Sequence, residues 1–195
     1  MDGYLRPPIH TVERCWAMIR KASSRRSGRR WAVLALGILA GAVGCAPSDL
    51  APDSPLSHAR SSPEALAAGA LEALTEDDPE ALDLLRITRE EYETLLWPEL
   101  PDRHQMPFDF VWSLTGPRSR KARREVMSEL GGLPLELVRV QLGDRTEEYA
   151  SFTLYQDVRM IVRRTDTGVE GPIPLMDVLV NMGGGWKFLN FAEDL

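Results

Sequence analysis

The sequence predicts an α+β fold in which helices come first and antiparallel strands follow. Between residues 62 and 130, helix-capping signals and apolar residues at helical spacing recur. After residue 133 the pattern changes to alternating apolar and polar residues. The connections between the predicted strands are short, and parallel pairing would need crossovers of about a dozen residues. We therefore expect N-terminal helices packed on a curved antiparallel sheet of four to five strands.

The first 44 residues are organised like a secretory signal peptide. Basic residues precede an uncharged apolar run of 14 residues at 31–44. The run ends in small residues and is followed by Cys45. A membrane-spanning helix needs about 20 apolar residues, so this run suits the core of a cleaved signal better. We expect residues 1–44 to be removed, with Met18 as the true start. The alternative is an uncleaved apolar helix that ends at Cys45.

The residues Ala42-Val43-Gly44-Cys45 resemble the lipobox of bacterial lipoproteins. Gly44 fits that pattern, whereas Ala42 stands where leucine is usual. The resemblance implies cleavage between Gly44 and Cys45, a diacylglyceryl group on the Cys45 thiol, and an acyl chain such as palmitate on the new amine. It implies export and lipid anchoring to a bacterial membrane, facing the periplasm or in the outer membrane where there are two membranes. Several acyl chains give stable anchoring, which one chain does not.

Composition limits the partners of the mature chain. Residues 1–44 hold eight of the 23 Lys and Arg and two of the 29 Asp and Glu, which leaves 15 basic and 27 acidic residues, a formal charge of −12. Such an acidic body argues against nucleic-acid binding. The cysteines are Cys15 and Cys45, so removal of the signal leaves no pair for an internal disulfide.

Residues 45–61 are expected to be the lipidated cysteine and a flexible tether, because they are rich in Pro, Ser, Ala and Asp. The α+β domain is expected to span residues 62–195. Ser62 and Asp78 each precede a proline and an acid, and Thr88 begins a capping box, so residues 62–97 predict three short helices. A longer helix is predicted over residues 108–130, kinked or split at Gly116-Pro117.

Five strands are predicted in the second half of the chain, and turn residues separate several of them. They cover residues 135–142, 147–155, 158–164, 173–182 and 186–191. This element order, and the closing segment Met182-Gly183-Gly184-Gly185-Trp186-Lys187-Phe188, resemble the NTF2-like (cystatin-like α+β) superfamily. The resemblance covers residues 62–195 and implies a cone-shaped domain with an apolar pocket between sheet and helices.

Some NTF2-like proteins are isomerases or dehydratases, which need a pocket carboxylate or histidine as base and hydrogen-bond donors to an oxyanion. The residue types here that match this chemistry are Tyr92, Asp109, Trp112, Tyr149, Tyr155 and Asp177. None lies in a motif that aligns with the catalytic residues of the family. We favour the simpler interpretation, in which the first tyrosine and the tryptophan are core residues and the aspartates lie at the surface or at caps.

We expect no metal and no cofactor. The mature chain has only His58 and His104, no closely spaced cysteines and no phosphate-binding glycine motif. The one basic cluster from residue 45 onwards is at 118–124, RSRKARR. It is expected to be a solvated helix face that could also meet an acidic partner or anionic headgroups.

The sequence therefore favours a lipid-anchored cell-envelope protein whose domain binds a protein partner or a small apolar ligand without catalysis. Two alternatives stay open. One is a pocket enzyme of the isomerase or dehydratase type. The other is a structural module that forms a homodimer through its sheet.

Overall fold

The computed structural model describes residues 49–173 and 175–191. The predicted signal peptide, Gly44 and Cys45 lie outside the described residues. The helices are α1 (Pro63–Thr75), α2 (Pro79–Leu84), α3 (Arg89–Glu91) and α4 (Phe108–Leu130). A π-helical turn at Tyr92–Leu96 and 3₁₀ turns at Trp97–Glu99 and Pro101–His104 join α3 to α4. The α+β class is confirmed.

The first three helices begin at the predicted caps. The Ser62 side chain accepts a hydrogen bond from the backbone of Ala65, and the Asp78 side chain accepts two from the first turn of α2. Thr88 and Glu91 form the predicted capping box. These starts were predictable because capping depends on residues within one turn. The sequence predicts a kink or a split at Gly116-Pro117; α4 is continuous through Pro117, so the helix is not split there.

Within residues 49–173 and 175–191, seven strands form two antiparallel sheets, whereas the sequence predicts one curved sheet of four to five strands. The strands are β1 (Leu135–Gln141), β2 (Thr146–Glu148), β3 (Phe152–Tyr155), β4 (Arg159–Arg164), β5 (Glu170–Ile173), β6 (Leu179–Met182) and β7 (Gly185–Phe188). One sheet has the order β1-β4-β5 and the other β2-β3-β6-β7.

Two predicted strands are each divided, which explains the larger number of strands: 147–155 becomes β2 and β3, and 173–182 becomes the end of β5 and the whole of β6. The predicted strand 147–155 is the hairpin β2–β3, in which the Tyr149 backbone donates to the Phe152 carbonyl at 2.9 Å. Between β3 and β4, Asp157 takes a left-handed conformation with φ 57°, which ends the first ladder. Hydrogen bonding crosses this bend, because Val158 donates to the Asp177 carbonyl at 3.1 Å. The segment from β3 to β4 and the segment from β5 to β6 therefore each run from one sheet into the other, and they stay paired across the bend.

The segment 49–61, expected to be part of a flexible tether, belongs to the domain. Leu56 and Ala59 are both only 2% exposed and lie in a core cluster with strand residues such as Phe152 and Val180. Arg60 exchanges two backbone hydrogen bonds with Trp186 of β7. Composition failed to predict this because two apolar side chains and a few backbone hydrogen bonds suffice to hold the segment.

Candidate functional site

Two of the predicted pocket residues, Tyr92 and Trp112, meet in an aromatic cluster. Their ring centroids are 6.0 Å apart, and Phe108 lies 6.0 Å from each of them. Trp97 completes the cluster. Burial, with a smaller contribution from the charge of Asp102, raises the pKa of Tyr92. Tyr92 and Trp112 are both half-buried, and the cluster packs α4 against the turns that follow α3.

Asp109 lies at the surface and not in a pocket. Its side chain is 83% exposed and pairs with Arg89 at 2.6 Å. The Arg89 guanidinium also lies 5.3 Å from the centre of the Phe108 ring. Asp109 therefore helps to attach the start of α4 to α3, and its exposure does not suit a general base that must be desolvated.

The tyrosines of the sheet also have structural partners. Tyr149 stacks on Phe152 with centroids 4.5 Å apart, and its hydroxyl donates to Glu147 at 2.8 Å. Burial and this acidic neighbour raise the pKa of Tyr149 to about 12. Tyr155 lies 5.0 Å from Trp186, ring to ring. Asp177 is exposed, and its carbonyl accepts the hydrogen bond that crosses the β3–β4 bend.

A groove of about 290 Å³ lies between α1 and β1. Its walls come from Ala68, Leu71, Glu72, Thr75, Glu76, Leu135 and Leu137. None of the predicted pocket residues lines it. The lining holds exposed acids and no basic or aromatic side chain, and Thr75 carries the one hydroxyl among these seven side chains.

The most unusual polar feature was not predicted: a buried ion pair joins Lys187 of β7 to Glu91 of α3. Lys187 is fully buried and Glu91 is 7% exposed. The Lys187 ammonium donates to both carboxylate oxygens, at 3.1 and 2.9 Å. The same carboxylate accepts from the backbone and hydroxyl of Ser57, both at 2.7 Å, and from the Thr88 backbone at 2.7 Å.

Five hydrogen bonds saturate the Glu91 carboxylate and fix its charge. Burial alone would raise the pKa of Glu91, but the hydrogen bonds from Thr88, Lys187 and Ser57 outweigh it and hold that pKa below its usual value. Burial lowers the pKa of Lys187, against the opposing effect of Glu91. A carboxylate with a lowered pKa and no free lone pair is a poor base, so this arrangement joins chain segments instead of carrying a reaction.

The outward side of α4 combines apolar and basic residues. Phe110 and Leu114 are 51% and 48% exposed, and Arg118, Lys121 and Arg124 continue the same side one turn at a time. These five residues are called the α4 outer face below. Residues at the opposite positions of the helix, such as Ala122 and Val126, are buried.

The basic part of this face has little internal neutralisation. Lys121 pairs with Glu125 at 3.4 Å, and both side chains are well exposed. Within the described residues, Arg118 and Arg124 form no ion pair. Arg123, on another side of the helix, pairs with Asp83 of α2. The α4 outer face therefore presents exposed apolar surface beside two arginines that form no ion pair with any described residue.

Among the residues that the structure describes, no group of three or more His, Cys, Asp or Glu side chains is placed to hold a metal ion. No helix within 49–173 or 175–191 has the length and apolarity required to cross a bilayer.

No protein-family model, curated protein or solved structure matches the chain.

Proposed function

We propose that this chain is an exported bacterial lipoprotein, held to the membrane through acyl chains on Cys45, whose α+β domain is a non-catalytic binding module. The anchor rests on the signal-like residues 1–44 and the lipobox resemblance at Gly44-Cys45. The observation that carries the binding module is the α4 outer face, where Phe110 and Leu114 leave about half of their surface in solvent beside exposed arginines. Exposed apolar patches rimmed by polar residues mark interaction sites.

The packing of residues 49–61 shortens the connection to this anchor. Only Ala46, Pro47 and Ser48 separate Cys45 from Asp49, the first residue of the compact unit. Four residue steps span at most about 14 Å. In this proposal the domain acts close to the bilayer surface, because the expected long tether is part of the fold.

The NTF2-like character of the domain is part of the proposal. Helices first and a bent antiparallel arrangement afterwards support it, as does the β6–β7 hairpin at the end. The antiparallel pairing of the same two chain segments continues through the bend. Phe152 pairs with Met182 in one sheet, and Met160 pairs with Ile173 in the other. A cone-shaped sheet needs such bends.

A fractionation experiment tests the anchor. The Cys45→Ser variant cannot be acylated and, once its signal is cleaved, is expected to move from the membrane to the soluble fraction. Ala46→Ser, which introduces a serine at the next residue and keeps the cysteine, is expected to behave like the wild type. The Cys45→Ser chain must be shown by its mass to have lost residues 1–44. A processed Cys45→Ser chain that stays fully in the membrane fraction would refute lipid anchoring.

A small ligand is the second candidate occupant, and the α1–β1 groove supports it. Native mass spectrometry of residues 46–195 is the test: a co-purified small molecule supports a ligand, and a dimer supports the structural module.

The enzyme alternative has less support. It needs a buried acid with a raised pKa, whereas the buried carboxylate of the described residues, Glu91, has a lowered one.

A further inference from the structure

We propose that the α4 outer face is a second membrane contact, which binds anionic phospholipid headgroups and inserts Phe110 and Leu114 at the interface. The inference rests on the proposed function for its closeness to a membrane. Its own basis is the arrangement of side chains along α4. It names the partner as a lipid surface, where the proposed function names only a binding module.

The geometry suits a helix that lies in the plane of the interface. Residues at 110, 114, 118, 121 and 124 are three or four apart and therefore share one side of the helix. At 1.5 Å per residue, the stretch from Phe110 to Arg124 is about 21 Å long. Interfacial helices place aromatic and aliphatic residues at the acyl boundary and surround them with Lys and Arg.

Charge complementarity favours a lipid surface. Residues 118–124 hold five basic residues and no acidic one, although the chain from residue 45 carries a formal charge of −12. Screening limits the reach of a charge to about 8–10 Å at physiological salt. A surface in contact with α4 therefore experiences mainly its arginines, while the acidic remainder of the domain is repelled from an anionic bilayer.

The contrast between the basic α4 outer face and the acidic remainder of the domain sets the orientation of the domain on the membrane, and contributes little to its attachment. Each Lys or Arg near an anionic surface contributes about 1 kcal/mol, or about a five-fold change in partitioning. A few such residues opposed by an acidic body give weak binding by themselves. With acyl chains supplying attachment, the α4 outer face decides which side of the domain meets the membrane.

Vesicle sedimentation with residues 46–195 tests the proposal without the acyl chains. This piece includes the whole compact unit with its own core. The probes are phosphatidylcholine vesicles with and without 30% phosphatidylglycerol, at low salt and at 0.5 M salt. We expect measurable binding to the anionic vesicles at low salt, at least ten-fold weaker binding to neutral ones, and loss of binding at high salt.

Variants locate the contact. Arg118→Gln/Arg124→Gln is expected to weaken binding to anionic vesicles about 25-fold, and Phe110→Ser/Leu114→Ser about ten-fold. Matched controls use exposed residues away from α4. Arg139→Gln/Arg159→Gln removes the same charge from β1 and β4, and Leu142→Ser removes an exposed leucine just after β1. Circular dichroism confirms that each variant is folded.

The outcomes separate this inference from the proposed function. Binding that is lost in the α4 variants and kept in the controls supports it. Equal losses in both sets, or no binding to either vesicle, overturn it, and an acidic protein then becomes the partner to seek. Neither result touches the anchor, because the Cys45→Ser fractionation does not depend on α4.

Discussion

At the scale of single residues, the pair Lys187–Glu91 joins three segments that are distant in sequence. Glu91 belongs to α3, Lys187 to β7, and Ser57 to the segment before α1, and all three meet at one carboxylate. A buried ion pair adds little stability over apolar replacements, but removal of one partner leaves a buried charge unpaired. Its role is therefore best measured by breaking it.

Glu91→Gln is expected to lower the free energy of unfolding by about 3 kcal/mol, because the Lys187 ammonium keeps no anionic partner at full burial. Urea unfolding followed by circular dichroism measures the change. Glu90→Gln, at the exposed neighbouring position, is the matched control and is expected to change stability by less than about 0.5 kcal/mol. Equal effects of the two substitutions would contradict the account.

The stabilisation by Glu91 is expected to depend on pH. Because the folded-state pKa of Glu91 lies below its usual value, the contribution is fully present above the unfolded pKa of about 4.3. It is lost as the pH falls through the folded-state pKa. The difference in unfolding free energy between wild type and Glu91→Gln should therefore shrink steadily below about pH 4. A difference that stays constant from pH 6 to pH 2 would exclude this mechanism.

At the scale of elements, helix starts that depend on neighbouring residues could be predicted from the sequence, whereas contacts between residues distant in the chain could not. The capping residues Ser62, Asp78 and Thr88 predicted the helix starts because their partners lie within three residues. The β2–β3 turn was missed because Tyr149 and its neighbours continue the alternation of a strand and include no glycine or proline. Lys187 was missed because its partner Glu91 is 96 residues away.

Leu56→Ala tests whether residues 49–61 belong to the fold. It should lower the free energy of unfolding by about 2–5 kcal/mol, because it opens a cavity in the cluster that contains Phe152 and Val180. Leu50→Ala, at a residue 48% exposed in the same segment, is the control and should cost less than about 1 kcal/mol. If thermal or urea unfolding gives the same value for both, the segment is a tether after all.

The bend between the sheets is sensitive at Gly143. A Cβ at this position would lie 2.1 Å from the carbonyl oxygen of Gln156, so backbone must shift to accept it. Gly143→Ala is expected to cost about 1–3 kcal/mol in urea unfolding. Leu142→Ala changes the exposed residue beside it and should be near neutral. A stable Gly143→Ala protein would show that the two sheets do not depend on this close approach.

At the scale of the whole molecule, the chain divides into a basic N-terminal part and an acidic body with one basic helix face. Residues 1–44 carry eight basic and two acidic residues, and the remainder is formally −12. The signal peptide at residues 1–44 stays a prediction, which rests on the order of its basic, apolar and small residues. The α4 outer face was predictable only as a basic cluster, since the exposure of Phe110 and Leu114 depends on which side of α4 the domain covers.

The intact mass of the native chain, extracted with detergent from bacterial membranes, tests the central claim most directly. The account predicts a polypeptide of residues 45–195 that carries the added mass of a diacylglyceryl group and of an amide-linked acyl chain on its first residue. After digestion, the added mass should lie on the peptide that begins with Cys45. A chain that retains residues 1–44, or one that starts elsewhere without lipid, would contradict the account.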